Sequence, residues 1–256
     1  MPQLQVVKIG TSSIFRNGAI DYAAISTLGY DLAVLRYDMN TYSVLVVSGA
    51  IPLGMKEMGL VARPTDPAGL QSCARVGQPI LIWEYTRGMR EGYGKYAQEN
   101  GIGYLQLLTG QMLPTYHNLD DSSERRNIVD GLRYDIGKGI IPLVNYNDGT
   151  DPTEVKRDND TLAARIAKAL IADRLVILTD VEGLLDVQGN IIYRVREIDD
   201  AIRSLAGEGN GTGGMKTKID AAQLLLQEGI PTMIGSIHNG LVNIIENEEM
   251  RTLIQK

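Results

Sequence analysis

The sequence predicts a layered α/β fold in which helices cover a mostly parallel β-sheet. Short apolar runs rich in β-branched residues alternate with longer stretches of helical periodicity along the chain. Many of these runs are apolar at nearly every position, which is typical of strands buried on both faces of a parallel sheet. Right-handed crossovers between such strands place their carboxyl ends along one edge of the sheet, where ligands bind. We therefore expect functional residues where the strands end.

The individual elements follow from the same patterns. Strands are predicted at Leu4–Ile9, Val44–Val47, Tyr104–Leu108, Ile140–Val144, Leu175–Leu178 and Pro231–Ile234. Helices are predicted at Tyr22–Tyr37, Ala68–Tyr96, Ser123–Lys138, Thr161–Ala172 and Met215–Gln227. Because glycine destabilises helices, the longest helix is expected to break near Gly77 or Gly88. Pro142 weakens the first half of its strand, and Gly183–Gly189 is interpreted as a hairpin excursion.

The composition favours an enzyme of small molecules. The chain has 256 residues, a net charge of -6 and a pI of about 5.1, whereas nucleic-acid binders usually carry a basic patch. Cys73 is the only cysteine, so we expect a reducing compartment and a small buried side chain rather than a nucleophile. His117 and His238 lack partners at metal or triad spacing and are expected to have surface or packing roles, and Trp83 is expected in the core or at an interface. Without a signal-peptide pattern or a long apolar run, we expect a cytoplasmic protein that binds neither nucleic acid nor membrane.

The sharpest local signal is the glycine-rich turn Gly209–Gly214, which precedes the helix at Met215–Gln227. Its four glycines in six residues let the backbone approach a ligand closely, and successive free N–H groups form a nest for an anion. The positive end of the following helix and the side chains of Lys216 and Lys218 add to the attraction for phosphate. The alternative is a flexible loop before a helix, which would not by itself bring two lysines with it.

Two common nucleotide-binding patterns do not fit this turn. Gly209, Gly211 and Gly214 match the spacing G-x-G-x-x-G. The dinucleotide fingerprint, however, needs a strand directly before it, and Ile198–Ala206 has the pattern of an amphipathic helix. A Walker A loop needs Lys immediately after the last glycine, where this chain has Met215. The turn therefore indicates phosphate binding of another kind.

Two further turns follow predicted strands. Lys8 lies inside an apolar strand, where a charge is costly unless it is paired, and Gly10 then opens a turn. Lys8 is expected to reach a phosphate site at the strand end, and the alternative is an edge lysine that points to water. Ser48 and Gly49 follow the next strand and open a helix, so backbone N–H groups there can hold a carboxylate or phosphate, unless this is an ordinary turn.

Polar loops follow two later strands. Together with the start of the next helix, the first loop supplies Asn145, Asn147, Asp148, Asp158, Asn159 and Asp160. Such a set can cage an amino group or a hydroxyl, and Asp158 and Asp160 can also contact Mg²⁺. The alternative is a set of turn residues with Asn159 or Asp160 as a helix N-cap. In the second loop, Thr179 and Asp180 suit contacts to a nucleotide or form a capped turn.

Taken in order, these motifs resemble those of the amino acid kinase family, and the similarity runs from Val6 to about Ile234. The string Gly-Thr-Gly-Gly-Met-x-Thr-Lys is most similar to family members that phosphorylate glutamate. The resemblance implies an α/β fold of the family's type, a three-layer αβα sandwich with a mainly parallel eight-stranded sheet. The matching segments are Lys8–Ser12, Ser48–Ile51, Val76–Gln78, Asn145–Asp148, Asp158–Leu162, Leu178–Leu184 and Gly211–Lys218.

The resemblance implies an enzyme that uses ATP and Mg²⁺ to phosphorylate the side-chain carboxylate of L-glutamate, the first step of proline biosynthesis. Lys8 and Lys218 would contact the phosphates and the transferring group, Asp160 would hold both lysines, and the Mg²⁺ would be carried by ATP. The acceptor would be bound by Ser48, Asp148 and Asn159, with Asn145 as a supporting neighbour. ATP would be bound by Lys8, Thr179, Asp180, Thr212, Gly213, Gly214, Met215, Lys216, Thr217 and Lys218.

Two rival functions stay open. Tyr146 stands where the family usually has Glu between two Asn residues, so the acceptor could instead be aspartate, carbamate or a nucleoside monophosphate. The other rival is a non-catalytic nucleotide sensor, which could lose any of Lys8, Asp160 and Lys218, whereas this chain has all three.

The resemblance also implies a homo-oligomer, either a dimer or a tetramer, and feedback inhibition by proline. Many bacterial family members that phosphorylate glutamate carry a C-terminal, RNA-binding-like PUA domain. This chain ends at Lys256, soon after the kinase core, so we expect a single domain over residues 1–256 without that addition.

Overall fold

The computed structural model describes residues 2–16, 19–150, 158–207 and 214–256. The strands within them are β1 (Gln3–Ile9), β2 (Phe15–Arg16), β3 (Ala19–Ile20), β4 (Thr41–Val46), β5 (Leu108–Met112), β6 (Ile140–Val144), β7 (Arg174–Thr179), β8 (Arg194–Val195), β9 (Thr232–Ser236) and β10 (Thr252–Ile254). β2 and β3 pair with each other, and the others form one eight-stranded sheet in the order β5-β6-β4-β1-β7-β9-β10-β8. Its neighbouring strands are parallel except β9 and β10, which confirms the predicted mainly parallel sheet.

Helices pack on both faces of this sheet. They are α1 (Thr11–Ile14), α2 (Tyr22–Tyr37), α3 (Ala50–Glu57), α4 (Pro67–Glu99), α5 (Tyr116–Asp120), α6 (Ser122–Lys138), α7 (Asn159–Leu170), α8 (Asp200–Leu205), α9 (Met215–Gln227) and α10 (Leu241–Glu246). Side chains alternate along the central strands, so Val6 and Val44 pack with α6, α7 and α9, whereas Val7 and Leu45 pack with α2, α3 and α4. The three-layer sandwich is therefore confirmed. None of the described helices is long and apolar enough to cross a membrane.

Most predicted strands are found, and the differences have physical reasons. The strand predicted at Tyr104–Leu108 is wrong, because β5 begins only at Leu108. The apolar residues before it include Leu107, which packs into the core without pairing in the sheet. β8 and β10 were not predicted, since elements of two and three residues are too short to show a periodicity. β6 continues through Pro142, which has no backbone N–H. β4 pairs only with the residues of β6 that follow this proline, so no hydrogen bond to β4 requires an N–H at Pro142. The predicted hairpin excursion is present as an antiparallel bridge between Leu185 and Ile191.

Two helices begin at carboxylates that the sequence analysis did not identify as caps. Asp121 caps α6 by accepting hydrogen bonds from the backbone N–H groups of Ser123 and Glu124. Asp158, rather than Asn159 or Asp160, caps α7 by accepting from the N–H of Thr161 at 2.7 Å. The side chains of Asn159 and Asp160 are thereby left for other contacts.

Helix α4 is continuous, so the predicted break near Gly77 or Gly88 is wrong. Gly77 and Gly92 lie where neighbouring helices approach α4 closely. A Cβ atom on Gly77 would lie 1.8 Å from the carbonyl oxygen of Ala50 in α3, and one on Gly92 would lie 2.0 Å from that of Ser26 in α2. The packing gained by this backbone contact offsets the low helix propensity of glycine.

We expect Gly92→Ala and Gly94→Ala to change stability in opposite directions, although the two positions lie in the same helix. The added methyl group of Gly92→Ala has no room, so overpacking should lower the free energy of unfolding by about 1–3 kcal/mol. Gly94 is exposed with no atom near its Cβ position, so alanine there should stabilise the helix by about 0.5–1 kcal/mol. Urea unfolding of both variants measures the difference, and equal effects would contradict the close contact of α2 and α4.

Candidate active site

The carboxyl ends of four adjacent strands, β6, β4, β1 and β7, meet at a cleft of about 360 Å³. Gly10 follows β1, Ser48 lies just beyond β4, Asn145 follows β6 and Thr179 ends β7. All four residues line the cleft. Because these strands are parallel neighbours, residues far apart in the sequence converge at one edge of the sheet.

A buried ionic centre forms the floor of this cleft. The Nζ atom of Lys8 lies 2.7 Å from Oδ1 of Asp160, and that of Lys218 lies 3.3 Å from Oδ2. The hydroxyl of Thr217 also donates to Oδ2 at 2.6 Å. Asp160 is completely buried, and both lysine side chains are nearly so. β1, the first turn of α7 and the first turn of α9 thus contribute one charged group each.

The charges in this centre do not cancel. Burial would raise the pKa of Asp160, but the two lysines and Thr217 outweigh it and lower that pKa, so the carboxylate is ionised at neutral pH. Burial lowers the pKa of Lys218, and the attraction of Asp160 opposes this only in part. One carboxylate between two ammonium groups leaves a net positive charge, which favours the binding of an anion above it.

A chain of side-chain amides lines the other half of the cleft. Nδ2 of Asn159 lies 2.9 Å from Oδ1 of Asn145, 2.7 Å from Oγ of Ser48 and 3.0 Å from the carbonyl oxygen of Val47, so its two hydrogens are shared among three acceptors. Nδ2 of Asn145 in turn donates to Oε1 of Gln78 at 2.8 Å. Gln78 and Asn145 are buried, so this chain fixes the orientation of each amide.

The orientation of these amides decides which atoms remain for a ligand. Asn145 uses both its amide groups within the protein, so it positions Asn159 rather than offering a free donor. With the Nδ2 of Asn159 engaged, its Oδ1 is left as a hydrogen-bond acceptor at the cleft. Ser48 accepts through Oγ, so its hydroxyl hydrogen is left as a donor.

Two carboxylates that follow β6 line the cleft, whereas the tyrosine beside them in the sequence does not. Asp148 lines the cleft, as do the acceptor residues Ser48 and Asn159. Asp158 also lines it, but its two oxygens accept from the N–H and the hydroxyl of Thr161. The ring of Tyr146 is buried in the core beneath the sheet edge and is not among the residues that line the cleft.

A second cavity, of about 350 Å³, adjoins the cleft and shares Thr179 and Lys218 with it. It is lined mostly by apolar side chains and by the start of α9. Thr179 donates to the carboxylate of Asp180 at 3.1 Å, which places both residues at this border. Its remaining lining residues are Asp180, Val181, Gly183, Leu184, Leu185, Leu205, Gly214 and Met215.

The other predicted residues are distributed as follows. Lys216 is exposed and is not among the residues that line either cavity, and Thr217 is bonded to Asp160 instead. The turn residues Gly211, Thr212 and Gly213 lie outside the described residues. Arg63 lines the cleft although the sequence analysis did not select it, because an isolated arginine in a loop carries no motif.

The residues outside the cleft largely agree with expectation. Cys73 is fully buried, as predicted, and His117 and His238 are exposed. Trp83 is exposed on α4, so it does not lie in the core, and its alternative place at an interface stays a prediction. The part of the chain that the structure describes contains no group of three or more His, Cys, Asp or Glu side chains that could hold a metal ion. Asp158 binds Thr161 and Asp160 binds the two lysines, and contact of either carboxylate with Mg²⁺ stays a prediction.

A cationic floor between two cavities, at the carboxyl edge of a parallel sheet and beside a helix N-terminus, is an arrangement that suits phosphoryl transfer. The sequence model of the amino acid kinase family matches residues 3–236. This chain therefore belongs to the amino acid kinase family.

The curated relatives include several glutamate 5-kinases. The glutamate 5-kinase of Acinetobacter baumannii is 37% identical over 97% of this chain, and this chain spans 65% of its length. The glutamate 5-kinase of Symbiobacterium thermophilum is 34% identical over 98% of this chain, and in that case 95% of the relative is covered.

Solved structures share the fold at low sequence identity. A carbamate kinase from Giardia superposes with a TM-score of 0.71 at 15% identity, covering 100% of this chain and 99% of that one. An N-acetylglutamate synthase from Neisseria gonorrhoeae, complexed with coenzyme A and L-arginine, has a TM-score of 0.71 at 16% identity, with 99% of this chain and 61% of that one covered. These likenesses support the fold and do not select an acceptor.

We expect Asp160→Asn to lower the free energy of unfolding at pH 7 by about 3–5 kcal/mol, because it leaves two buried ammonium groups without their counter-charge. Since the pKa of Asp160 is lowered on folding, its stabilisation is present above the unfolded-state pKa and is lost as the pH falls through the folded-state pKa. The difference between wild type and variant should therefore shrink in acid.

Urea unfolding over a pH series measures this difference. The matched control is Asp220→Asn on α9, which breaks the exposed pair with Arg203 and should cost at most about 1 kcal/mol. A loss for Asp160→Asn no larger than that of the control would contradict the buried ionic centre.

Proposed function

We propose that this protein transfers the γ-phosphoryl group of Mg-ATP to the side-chain carboxylate of L-glutamate, producing L-glutamyl 5-phosphate and ADP. The observation that carries the proposal is the ionic centre of Lys8, Asp160 and Lys218, which lies where a polar cleft and an apolar cavity meet. The similarity to curated glutamate 5-kinases supports glutamate as the acceptor.

The reaction needs alignment and charge neutralisation more than proton transfer. A side-chain carboxylate is already ionised at neutral pH, so no general base is required. One of its oxygens forms the new P–O bond as the bond from the γ-phosphorus to ADP breaks, and both partners are anionic. Lys8 and Lys218 would oppose their repulsion, while Asp160 holds both ammonium groups in place without taking a proton. Mg²⁺, carried by ATP, would neutralise part of the triphosphate charge.

The two cavities suit the two substrates. The apolar side chains of the second cavity suit a nucleotide base, and the N-terminus of α9 at Gly214 and Met215 suits its phosphates. The cleft offers the hydroxyl of Ser48 as a donor, and Asp148 and Asn159 as acceptors for an ammonium group. Such a set of donors and acceptors suits an amino acid.

Several consequences belong to the same proposal and rest on the resemblance to the family. The product would enter proline biosynthesis in the cytoplasm, with proline as a feedback inhibitor. Residues 1–256 would form one kinase domain that assembles as a homo-oligomer. Thr212 and Gly213 would contribute to the ATP site, together with Lys216 from the exposed side of α9.

We expect Lys218→Ala to lower kcat by about 10²-fold or more, the scale of losing one donor to the transition state. Lys168→Ala is the matched control, because Lys168 is half exposed, pairs with Glu228 and lies away from the cleft. Trapping the acyl phosphate with hydroxylamine, with ATP and Mg²⁺ supplied, measures both rates. Near-normal turnover of Lys218→Ala would remove it from the transfer site.

We expect Asp148→Ala to raise the KM for glutamate more than the KM for ATP, because Asp148 lines the acceptor cleft and not the second cavity proposed for the nucleotide. Asp130→Ala, an exposed carboxylate on α6, is the control. The same hydroxamate assay, run over a panel of amino acids, also tests the proposed acceptor. Hydroxamate from aspartate alone, or ATP binding without turnover on any acceptor, would contradict the proposed function.

A further inference from the structure

We propose that Arg63 binds the α-carboxylate of the acceptor and so makes the cleft selective for an α-amino acid. This inference rests on the proposed function and names a specificity-determining residue for it. Arg63 lies between α3 and α4, in the segment that returns from the cleft to the start of the long helix.

The backbone that follows Arg63 is anchored. Pro64 packs so closely on Gly69 that a Cβ atom added to Gly69 would lie 2.8 Å from the proline ring. Asp66 caps α4 by accepting from the N–H of Gly69 at 2.7 Å. An anchored backbone keeps a long, exposed side chain within reach of the cleft and lowers the entropy cost of ordering it on binding.

Arg63 differs from the other cations of the cleft in its partners. Among the described residues that line the cleft, the cationic side chains are Lys8, Lys218 and Arg63. Both lysines are bonded to Asp160 at the transfer end. The described part of the chain provides no carboxylate in an ion pair with Arg63, which is therefore available to a carboxylate that arrives with the ligand.

The acceptor carries a second carboxylate, whose charge such a group matches. Glutamate presents its side-chain carboxylate to the lysines, and its ammonium group suits Asp148 and the Oδ1 atom of Asn159. Its α-carboxylate then needs a donor, and a guanidinium group binds a carboxylate through two parallel hydrogen bonds. Carbamate and nucleoside monophosphates lack this pair of charges on one carbon, so Arg63 and Asp148 together discriminate against them.

The buried position of Tyr146 supports this assignment. Tyr146 is the residue by which the loop departs from its family, yet its ring packs in the core and does not line the cleft. The head group of the acceptor is therefore recognised by residues that do line it, and Arg63 is the described cation there that is free to do so.

The test compares glutamate with L-isoglutamine, in which a neutral amide replaces the α-carboxylate. The hydroxamate assay is run on wild type, Arg63→Ala and Arg63→Lys, with Arg133→Ala, an exposed arginine on α6, as the control. We expect Arg63→Ala to raise the KM for glutamate by about 10-fold or more, the scale of one charge-assisted hydrogen bond, and to leave the KM for ATP unchanged. The KM of Arg63→Lys for glutamate should lie between those of wild type and Arg63→Ala, because lysine keeps the charge and loses the paired donors.

With L-isoglutamine, wild type and Arg63→Ala should have the same KM. If L-isoglutamine is not phosphorylated, its inhibition constant against glutamate should be the same for both proteins. An unchanged KM for glutamate in Arg63→Ala, or an equal loss with both compounds, would overturn the inference. Failure of the wild type to yield any hydroxamate from glutamate would instead overturn the proposed function, so the two failures are distinguishable.

Discussion

Asp160 binds two lysines that come from opposite ends of the chain, and the arrangement of the molecule follows from that contact. Lys8 is part of the central strand β1, while Lys218 lies in the first turn of α9. Burying charged groups costs several kcal/mol for each ion, and replacement of buried ion pairs by apolar residues is often neutral or stabilising. Stability alone therefore gives no reason for three buried charges. Their arrangement is explained by the excess positive charge that they hold at the floor of the cleft.

The acceptor half of the cleft depends on a different constraint, the close contact of α3 with α4. Gly77 touches the backbone of Ala50, which begins α3 at the cleft. The next residue, Gln78, is thereby brought to Asn145, and through Asn145 it fixes Asn159 and Ser48. A glycine that looks like a weakness in a helix thus positions the hydrogen-bonding groups of the site.

The order of the motifs along the chain was sufficient to predict the layers, the central parallel strands and the convergence of Lys8, Ser48 and Asp148 at one edge. These predictions succeed because buried parallel strands have a strong apolar pattern and because their carboxyl ends meet. Short strands such as β8 and β10 have no such pattern, and they form only because neighbouring strands are already in place.

The site residues that sequence reasoning missed are those whose role depends on tertiary contacts. Gln78 belongs to a segment that matches the family but was given no role, because its role is visible only through the amide of Asn145. Arg63 belongs to a loop without a motif, and only the fold brings it to the cleft. For Tyr146 the sequence misleads in the opposite direction. Its departure from the family pattern suggested a role in acceptor choice, yet its ring packs in the core.

In the proposed function, the two halves of the site would recognise their ligands by different physical means, and this has a consequence for specificity. The second cavity is mainly apolar and adjoins backbone at the start of α9, so nucleotide binding there would depend little on any single polar side chain. Acceptor binding in the cleft would rely on a few polar atoms, each with a defined sense as donor, acceptor or charge. A buried polar group left unpaired by the wrong ligand costs more than an imperfect apolar contact. In the proposed function, polar side chains of the cleft such as Asp148 and Arg63 would therefore decide which carboxylate reaches the ionic centre.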